Sequence, residues 1–281
     1  MPFGFLRQND ATVYYNLDWQ WWGEKTAGVI DMIKKSHEND YQIMLKPQLW
    51  LKDGAYTGKL HFNSEIEWLE FEKSYAQFIL EFATIAEQNQ VEIFCIGTEL
   101  QKVVQERPKF WQQLILNVRQ AYQGKITYAA NWDEYTEFPF WQNLDYIGID
   151  AYFPLSKSKN PDLSELKQSW NLLSNKLENF SDSLDQKILF TEYGYTSSKT
   201  AVSSPWLHLR DTESDSLIQS LVLQAMYETI WEEDYFVGGF LWKWFPNHSQ
   251  VGGSKDNGFT PQNKKSTETI KHYYERLNSL N

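Results

Sequence analysis

The stretch VEIFCIGTEL (Val91–Leu100) is a run of apolar residues that ends near a carboxylate, Glu99. Its core does not alternate between apolar and polar residues, which is typical of a strand buried on both faces of a parallel sheet. Five other stretches have the same character: YQIMLKPQLW (Tyr41–Trp50), KITYAANW (Lys125–Trp132), LDYIGIDAYF (Leu144–Phe153), KILFTEYGY (Lys187–Tyr195) and FVGGFLWKWF (Phe236–Phe245). These runs predict six full strands of one parallel sheet.

Longer amphipathic segments lie between the apolar runs. The clearest is Ser64–Gln88, where Ser64 and Glu67 have the spacing of a capping box and aromatic residues recur at steps of three and four. Pro108 is expected to open another helix that reaches about Tyr122. Further helices are expected over Glu24–Asn39, Leu163–Leu177, Glu213–Glu233 and Ser266–Leu277. Strands that alternate with helices predict βαβ units.

Polar and aromatic residues gather where the predicted strands end. In a TIM (β/α)8 barrel this end of the sheet carries the active site. A chain of 281 residues has the length of one such α/β barrel, so we expect a single barrel domain over residues 1–281. A doubly wound open sheet is the alternative. Its first strand would usually lead into a Gly-rich phosphate turn, and the sequence contains no such turn.

Composition narrows the class of partner. The chain has 26 Lys and Arg against 37 Asp and Glu, and this excess of negative charge disfavours nucleic acid or an anionic membrane surface. No window of about 18 apolar residues exists, so no membrane span is expected. The single cysteine, Cys95, excludes an internal disulfide, and the five scattered histidines predict neither a metal site nor a cofactor.

The thirteen tryptophans are compatible with a large packed core. They are also compatible with a cleft lined with flat aromatic rings, which are surfaces that bind sugars. Their positions in the sequence separate the two roles. Those in helical stretches are expected to pack in the core: Trp68, Trp111, Trp170 and Trp231. Aromatic and hydrogen-bonding residues at the strand ends are candidates for sugar contacts: Lys46, Gln48, Trp50, Asn131, Trp132, Asp150, Tyr152, Tyr195 and Trp242.

Two carboxylates are the candidates for chemistry. Glu99 and Glu192 each follow a fully apolar run, about three βα units of roughly 30 residues apart, which would place them on facing strands of a barrel. A glycosidase needs two such groups, one protonated and one ionised. A single Glu at a strand end is more simply a loop residue or half of an ion pair, whereas two among Trp and Tyr favour catalysis. Tyr193 and Tyr195 follow Glu192 closely, where a hydroxyl could hold the nucleophile ionised by a hydrogen bond.

The motifs MLKPQLWL, FCIGTEL, YAANWDEY, YIGIDAYFPL, FTEYGY and GFLWKW together resemble glycoside hydrolase family 113. This is a β-mannanase-like barrel family within the retaining clan A of glycosidases, and the resemblance runs from Pro2 almost to the C-terminus. It implies a (β/α)8 fold, a β-1,4-mannan or related β-glycan substrate, Glu99 as general acid/base and Glu192 as nucleophile. It also implies that Arg7 supports the nucleophile and that several strand-end residues approach the sugar: Lys46, Trp132, Asp150, Tyr152 and Trp242.

The chain departs from the family pattern at three places. Gln48 stands where a histidine usually follows the KP dipeptide, and Thr98 stands where many clan A enzymes have an asparagine before the acid/base. The third departure is at the N-terminus, where the first strand, its helix and most of the second strand have no residues. We therefore expect a truncated chain, which is secreted or in the cell envelope if a signal peptide preceded it and cytoplasmic otherwise.

Two other functions remain open on the sequence alone. One is a carbohydrate-binding barrel that has lost turnover, and the other is a hydrolase of a different β-glycan such as β-glucan. The fold does not separate these functions, because one barrel supports many chemistries.

Overall fold

A computed structural model describes residues 1–8, 10–52, 54–158, 160–209 and 213–278. The chain forms two compact units, Met1–Gly148 and Ile149–Asn281. The first unit contains strands β1 (Phe3–Leu6), β2 (Val13–Tyr14), β3 (Met44–Leu45), β4 (Gln48–Leu51), β5 (Ile93–Thr98) and β6 (Lys125–Asn131). Its helices are α1 (Thr26–His37), α2 (Glu65–Gln88), α3 (Gln101–Glu106) and α4 (Pro108–Ala121). Strand β7 (Ile147–Asp150) spans the division, and the second unit continues with α5 (Leu163–Leu184), β8 (Ile188–Tyr193), α6 (Ser216–Tyr227), β9 (Phe236–Leu241) and α7 (Lys265–Asn278).

The strands of the first unit form two groups. Strands β3, β5 and β6 are parallel neighbours in that order, with Met44 opposite Ile93 and Thr98 opposite Ala129. Strand β1 lies between β4, to which it is parallel, and β2, to which it is antiparallel. Parallel pairing brings the C-terminal ends of β5 and β6 to the same edge, and both strands end in residues of the candidate site.

Helix α2 shows how the sequence fixes the core of the first unit. The Ser64 hydroxyl accepts from the backbone N–H of Glu67, and the Glu67 carboxylate accepts from the backbone N–H of Ser64 at 3.0 Å, so the predicted capping box is confirmed. The helix buries a stripe of aromatic rings, and burial of each such side chain stabilises the fold by about 1.5–3 kcal/mol. The stripe consists of Trp68, Phe71, Tyr75, Phe78 and Phe82.

The second unit is organised around the parallel pair β8 and β9, with Ile188 opposite Phe236 and Tyr193 opposite Leu241. Asp162 is the N-cap of helix α5, and its carboxylate accepts from the N–H of Glu165 at 2.9 Å. Asp215 caps helix α6 in the same way. Capping by aspartate satisfies backbone donors that a helix start otherwise leaves without partners.

The elements are shorter than several predicted runs. The run Tyr41–Trp50 forms two strands, β3 and β4, which pair with different neighbours and meet at Lys46–Pro47. Proline has no N–H for a strand ladder and therefore interrupts it. Helix α3 was not predicted, and the long helix expected over Glu213–Glu233 is only α6. The expected single domain over residues 1–281 stays a prediction.

The structure also bears on tryptophan packing and on the membrane. Trp68, Trp111 and Trp170 are buried in helices, as the sequence predicts. The prediction is wrong for Trp231, which is half-buried in the turn that follows α6. Among the described residues, no helix combines the length and the apolar character that crossing a bilayer requires.

Candidate active site

Glu192 lies at the end of β8 and is 7% exposed. Its carboxylate accepts a hydrogen bond of 2.6 Å from the hydroxyl of Tyr152. That length is typical of a hydroxyl that donates to a charged acceptor. The backbone N–H of Ala151 also donates to the carbonyl of Glu192 at 2.7 Å. The segment after β7 therefore holds both the main chain and the side chain of Glu192.

The two tyrosines that follow Glu192 in sequence do not supply this hydrogen bond. Side chains of a strand alternate between faces, so Tyr193 points away from the face of Glu192, and its hydroxyl lies 2.9 Å from that of Tyr227 and 3.0 Å from that of Tyr274. Tyr195 is 1% exposed and donates to the carbonyl of Phe153 at 3.2 Å. The expectation that these neighbours hold the nucleophile is corrected, because the donor comes from the segment after an adjacent strand.

The burial of Tyr195 also bears on its predicted contact with sugar. Its ring lies 6.5 Å from that of Trp170 in edge geometry, inside the second unit. The structure gives Tyr195 a packing role and leaves its side chain no exposed surface for a ligand.

Asp150 and Trp242 flank Glu192 within the second unit. Asp150 is 1% exposed and accepts from the Thr191 hydroxyl at 2.8 Å, which joins the end of β7 to β8. The backbone N–H of Trp242, just past the end of β9, donates to the carbonyl of Tyr193 at 2.7 Å. Gly194 permits this close approach, since a Cβ at that position would lie 2.1 Å from the carbonyl oxygen of Trp242. The half-buried Trp242 is thus anchored beside the strand that carries Glu192.

Glu99 lies immediately after β5 in the first unit and has a positive φ of 49°. Its backbone N–H donates to the carbonyl of Ala129 at 2.8 Å, which ties it to β6. A left-handed backbone is uncommon for any residue except glycine. Strained residues of this kind cluster at functional sites because the surrounding structure must hold them in place. The half-buried Glu99 therefore combines a left-handed backbone with a position at the end of β5, where the sequence predicts a catalytic carboxylate.

Thr98 and Gln48, which depart from the family pattern, each have a buried side-chain oxygen without a hydrogen bond among the described residues. Thr98 Oγ1 and Gln48 Oε1 are both buried, and neither has a hydrogen-bond partner among the described residues. An unsatisfied buried polar atom costs about 1–3 kcal/mol. Both oxygens are enclosed by protein atoms, so this cost belongs to the folded first unit itself.

The other predicted contacts of the first unit differ in accessibility. Asn131 is engaged in a local turn, where it accepts from the N–H of Trp132 at 3.0 Å and donates to Asp133 at 2.9 Å. Lys46 is 2% exposed, whereas Trp50 is 50% exposed. The exposed Arg7 places its guanidinium 4.4 Å from the centre of the Tyr14 ring. Trp50 and the half-buried Trp132 thus offer ring surface, whereas the Arg7 side chain stacks on an aromatic neighbour.

Sequence reasoning missed Tyr56 and Glu134. The Tyr56 hydroxyl donates to the Glu134 carboxylate at 3.1 Å. Burial raises the pKa of Glu134 to about 7, and the negative charges of Asp133 and Glu137 add to the rise. Burial also raises the pKa of Tyr56, and the charge of Glu99 contributes to that increase. The available signals were the position of Glu134 after a predicted strand, in the motif WDEY, and the turn-like sequence around Tyr56.

Glu134 also lines a small cavity at the end of β6, beside Gln101, Tyr128 and Phe138. Among the described residues, no group of three or more His, Cys, Asp and Glu side chains is arranged to hold a metal ion.

The chain is similar to known proteins in both sequence and fold. A profile of Glycoside Hydrolase Family 113 matches residues 9–264. A search among curated protein sequences finds no significant match. One similar solved structure is the GH113 β-mannanase AaManA from Alicyclobacillus acidocaldarius in complex with ManMIm, with 21% identity and a TM-score of 0.82 over 97% of this chain and 84% of that one.

Two further solved structures extend the comparison. A complex structure of a GH113 β-1,4-mannanase has 21% identity and a TM-score of 0.83, over 98% of this chain and 86% of that one. A structure of fungal β-1,4-galactanases has 15% identity and a TM-score of 0.57, over 89% and 83% of the two chains. At these identities the likeness shows the fold, so the expected TIM-barrel-type (β/α) fold is confirmed.

Proposed function

The chain belongs to Glycoside Hydrolase Family 113, and from that premise we propose that this glycosidase cleaves β-1,4-mannosidic linkages with retention of configuration. The observation that carries the proposal is the buried carboxylate of Glu192, which the Tyr152 hydroxyl holds at 2.6 Å. A nucleophile must be ionised and fixed in one rotamer, and a short hydrogen bond from a buried donor serves both requirements.

The proposed reaction is a double displacement. Glu192 attacks the anomeric carbon and forms a glycosyl ester while the glycosidic C–O bond breaks and Glu99 gives its proton to the leaving oxygen. Glu99 then takes a proton from water, the water oxygen attacks the anomeric carbon, and the carboxylate of Glu192 leaves. The 2.8 Å bond from the backbone N–H of Glu99 to the carbonyl of Ala129 supports this role, because it fixes the main chain that presents the acid/base.

The choice of β-mannan rests on family membership and on the mannanases that share the fold. Partial support comes from the aromatic residues at strand ends, since Trp50, Trp132 and Trp242 offer flat surfaces that suit neutral sugar rings. A neutral polysaccharide needs no basic surface, which agrees with a net charge of −11.

Hydrolysis of β-mannan, glucomannan, xylan and β-glucan, measured as release of reducing ends, tests the substrate. We expect the highest kcat/KM on β-mannan, and a preference for xylan or β-glucan would contradict the proposal. The anomer formed first, observed by NMR, tests the stereochemistry. An initial α-product from a β-mannoside would refute retention.

The roles of the two carboxylates are tested by replacement. Glu192→Gln and Glu99→Gln are each expected to abolish turnover of β-mannan with folding intact. Glu178→Gln is the matched control, since Glu178 is an exposed residue on α5, and it should retain wild-type turnover. With azide and an activated aryl β-mannoside, Glu192→Ala should yield the α-mannosyl azide and Glu99→Ala the β-anomer. The reverse pattern would exchange the two roles.

A further inference from the structure

The segment that follows β9 in the second unit is held by a buried lysine. The Lys264 side chain has no solvent exposure, and its ammonium donates to Asp256 Oδ1 at 2.6 Å, Ser197 Oγ at 2.7 Å and the carbonyl of Gly258 at 3.0 Å. These bonds use all three donors of the group. Burial lowers the pKa of Lys264, and the contact with Asp256 opposes that change. A buried charge is retained only with such partners, so Lys264 fixes residues 256–258 firmly.

The same segment is tied to the residues that follow β8 and to helix α6. The backbone N–H of Ser197 donates to the carbonyl of Gly258 at 3.1 Å. Gln219 on α6 is fully buried, and its amide donates to the carbonyls of Tyr195 at 2.7 Å and Phe259 at 2.9 Å. The backbone of Phe259 is therefore held from both sides.

The ring of Phe259 reaches the residue that holds the nucleophile. Its centre lies 5.9 Å from that of Tyr152, at an interplanar angle of 70°. This edge-to-face geometry is the favourable one for aromatic pairs. The hydroxyl at the other end of the Tyr152 ring donates to Glu192. Lys264 bonds the carbonyl of Gly258, which precedes Phe259 in the chain, and the Phe259 ring contacts Tyr152, whose hydroxyl donates to the carboxylate.

We propose that Phe259 and Lys264 are positioning residues for the reaction, acting on Glu192 through the ring of Tyr152. The proposal rests on the proposed function, because it presumes that Glu192 is the nucleophile. Phe259 restricts the tilt of the Tyr152 ring, and Lys264 restricts the backbone that presents Phe259. Neither residue is expected to touch the reacting atoms.

A double-mutant cycle on kcat for β-mannan tests the proposal. Phe259→Leu is expected to lower kcat about tenfold with KM within about twofold of wild type, since the ring of Tyr152 loses its neighbour. In a Tyr152→Phe background, where the hydrogen bond is already gone, the same substitution should lower kcat less than twofold. Equal losses in the two backgrounds would overturn the proposal, because a merely structural effect does not depend on the Tyr152 hydroxyl.

Two further variants complete the design. Phe236→Leu is the matched control, because Phe236 is a buried ring at the start of β9 that packs on Phe190 and Trp231, and its effect on kcat should be equal in both backgrounds. Ser197→Ala removes one partner of Lys264 and should show a smaller loss of kcat with the same dependence on Tyr152. Ser197→Ala therefore tests the lysine cluster while Lys264 keeps its bonds to Asp256 and Gly258.

The labelling of Glu192 separates the two proposals. A 2-deoxy-2-fluoro-β-mannosyl fluoride should form a covalent adduct on Glu192, and Phe259→Leu should slow that step as it slows kcat. If the adduct does not form on Glu192 and Glu192→Gln keeps turnover, the proposed function is wrong. If the adduct forms on Glu192 but the cycle shows no coupling, only the positioning role is wrong.

Discussion

Replacement of Tyr152 by phenylalanine removes one oxygen atom from the second unit and leaves the ring in place. The ring contact with Phe259 does not require the hydroxyl, so the change isolates the 2.6 Å bond to Glu192. Tyr152 and Glu192 are each only 7% exposed, so the bond lies mostly out of solvent. A hydrogen bond to a charged group contributes about 1.5–3 kcal/mol.

That energy sets the expected loss of activity. At about 1.4 kcal/mol per factor of ten, Tyr152→Phe should lower kcat/KM roughly 10- to 150-fold if the bond acts fully in the transition state. The assay is steady-state hydrolysis of mannooligosaccharides, with circular dichroism to establish that the variant is folded. We expect most of the loss in kcat, since the bond would orient Glu192, the proposed nucleophile.

The control for this experiment is Tyr235→Phe. Tyr235 is also buried in the second unit, and its hydroxyl lies 2.9 Å from that of Ser174. The Tyr235 hydroxyl makes the same kind of bond to a neutral partner. Tyr235→Phe should therefore leave kcat/KM within twofold of wild type. The reasoning is refuted if Tyr152→Phe keeps full activity, or if the control loses as much.

Three other substitutions test separate features of the structure. Gly194→Ala should lower the melting temperature by several degrees, because its Cβ would lie 2.1 Å from the carbonyl of Trp242 and overpacking costs about 1–3 kcal/mol; an unchanged melt would contradict the close approach. Glu99→Gly should have a higher melting temperature than Glu99→Ala, because the left-handed backbone with φ of 49° costs about 1–2 kcal/mol for residues with a Cβ. Equal melting temperatures would contradict the strain at this position. Neither variant should turn over substrate. Burial raises the pKa of Glu134 from 4.5 to about 7. The native wild type is therefore stabilised below pH 4.5 and loses that stability as pH rises to about 7. The melting temperature of Glu134→Gln relative to that of the wild type should increase between about pH 4.5 and 7.5, and a constant difference would refute the burial argument.

The sequence predicts the strands and the helix starts well because both depend on local patterns. The fully apolar core of Val91–Leu100 requires a site with no solvent on either side, and β5 occupies such a site. Ser64 and Glu67 fix the start of α2 by bonds across three residues. Pro47 is a sequence signal for the interruption between β3 and β4. In contrast, the different partners of these two strands are set by tertiary pairing, which no local pattern predicts.

The candidate site was predicted only in part, because its hydrogen bonds join residues that are distant in sequence. Tyr193 is adjacent to Glu192 along the chain, yet strand alternation turns it to the other face, and the donor is Tyr152, 40 residues earlier. Lys264 gives no apolar signal that would predict its burial. Such a residue is buried only because Asp256 and Ser197 are brought to it by the fold.

The two departures near the site are compatible with a sugar ligand for an energetic reason. The oxygens of Gln48 and Thr98 are buried without a hydrogen-bond partner among the described residues, and each would cost about 1–3 kcal/mol if it stayed so. A sugar hydroxyl donates and accepts equally well, so it can satisfy an amide or a hydroxyl oxygen that an apolar ligand cannot. Ligand binding would relieve this cost only with a local shift that exposes the two oxygens, because both are enclosed by protein atoms. Neutral side chains at positions 48 and 98 can therefore favour a hydroxylated ligand without a charged group.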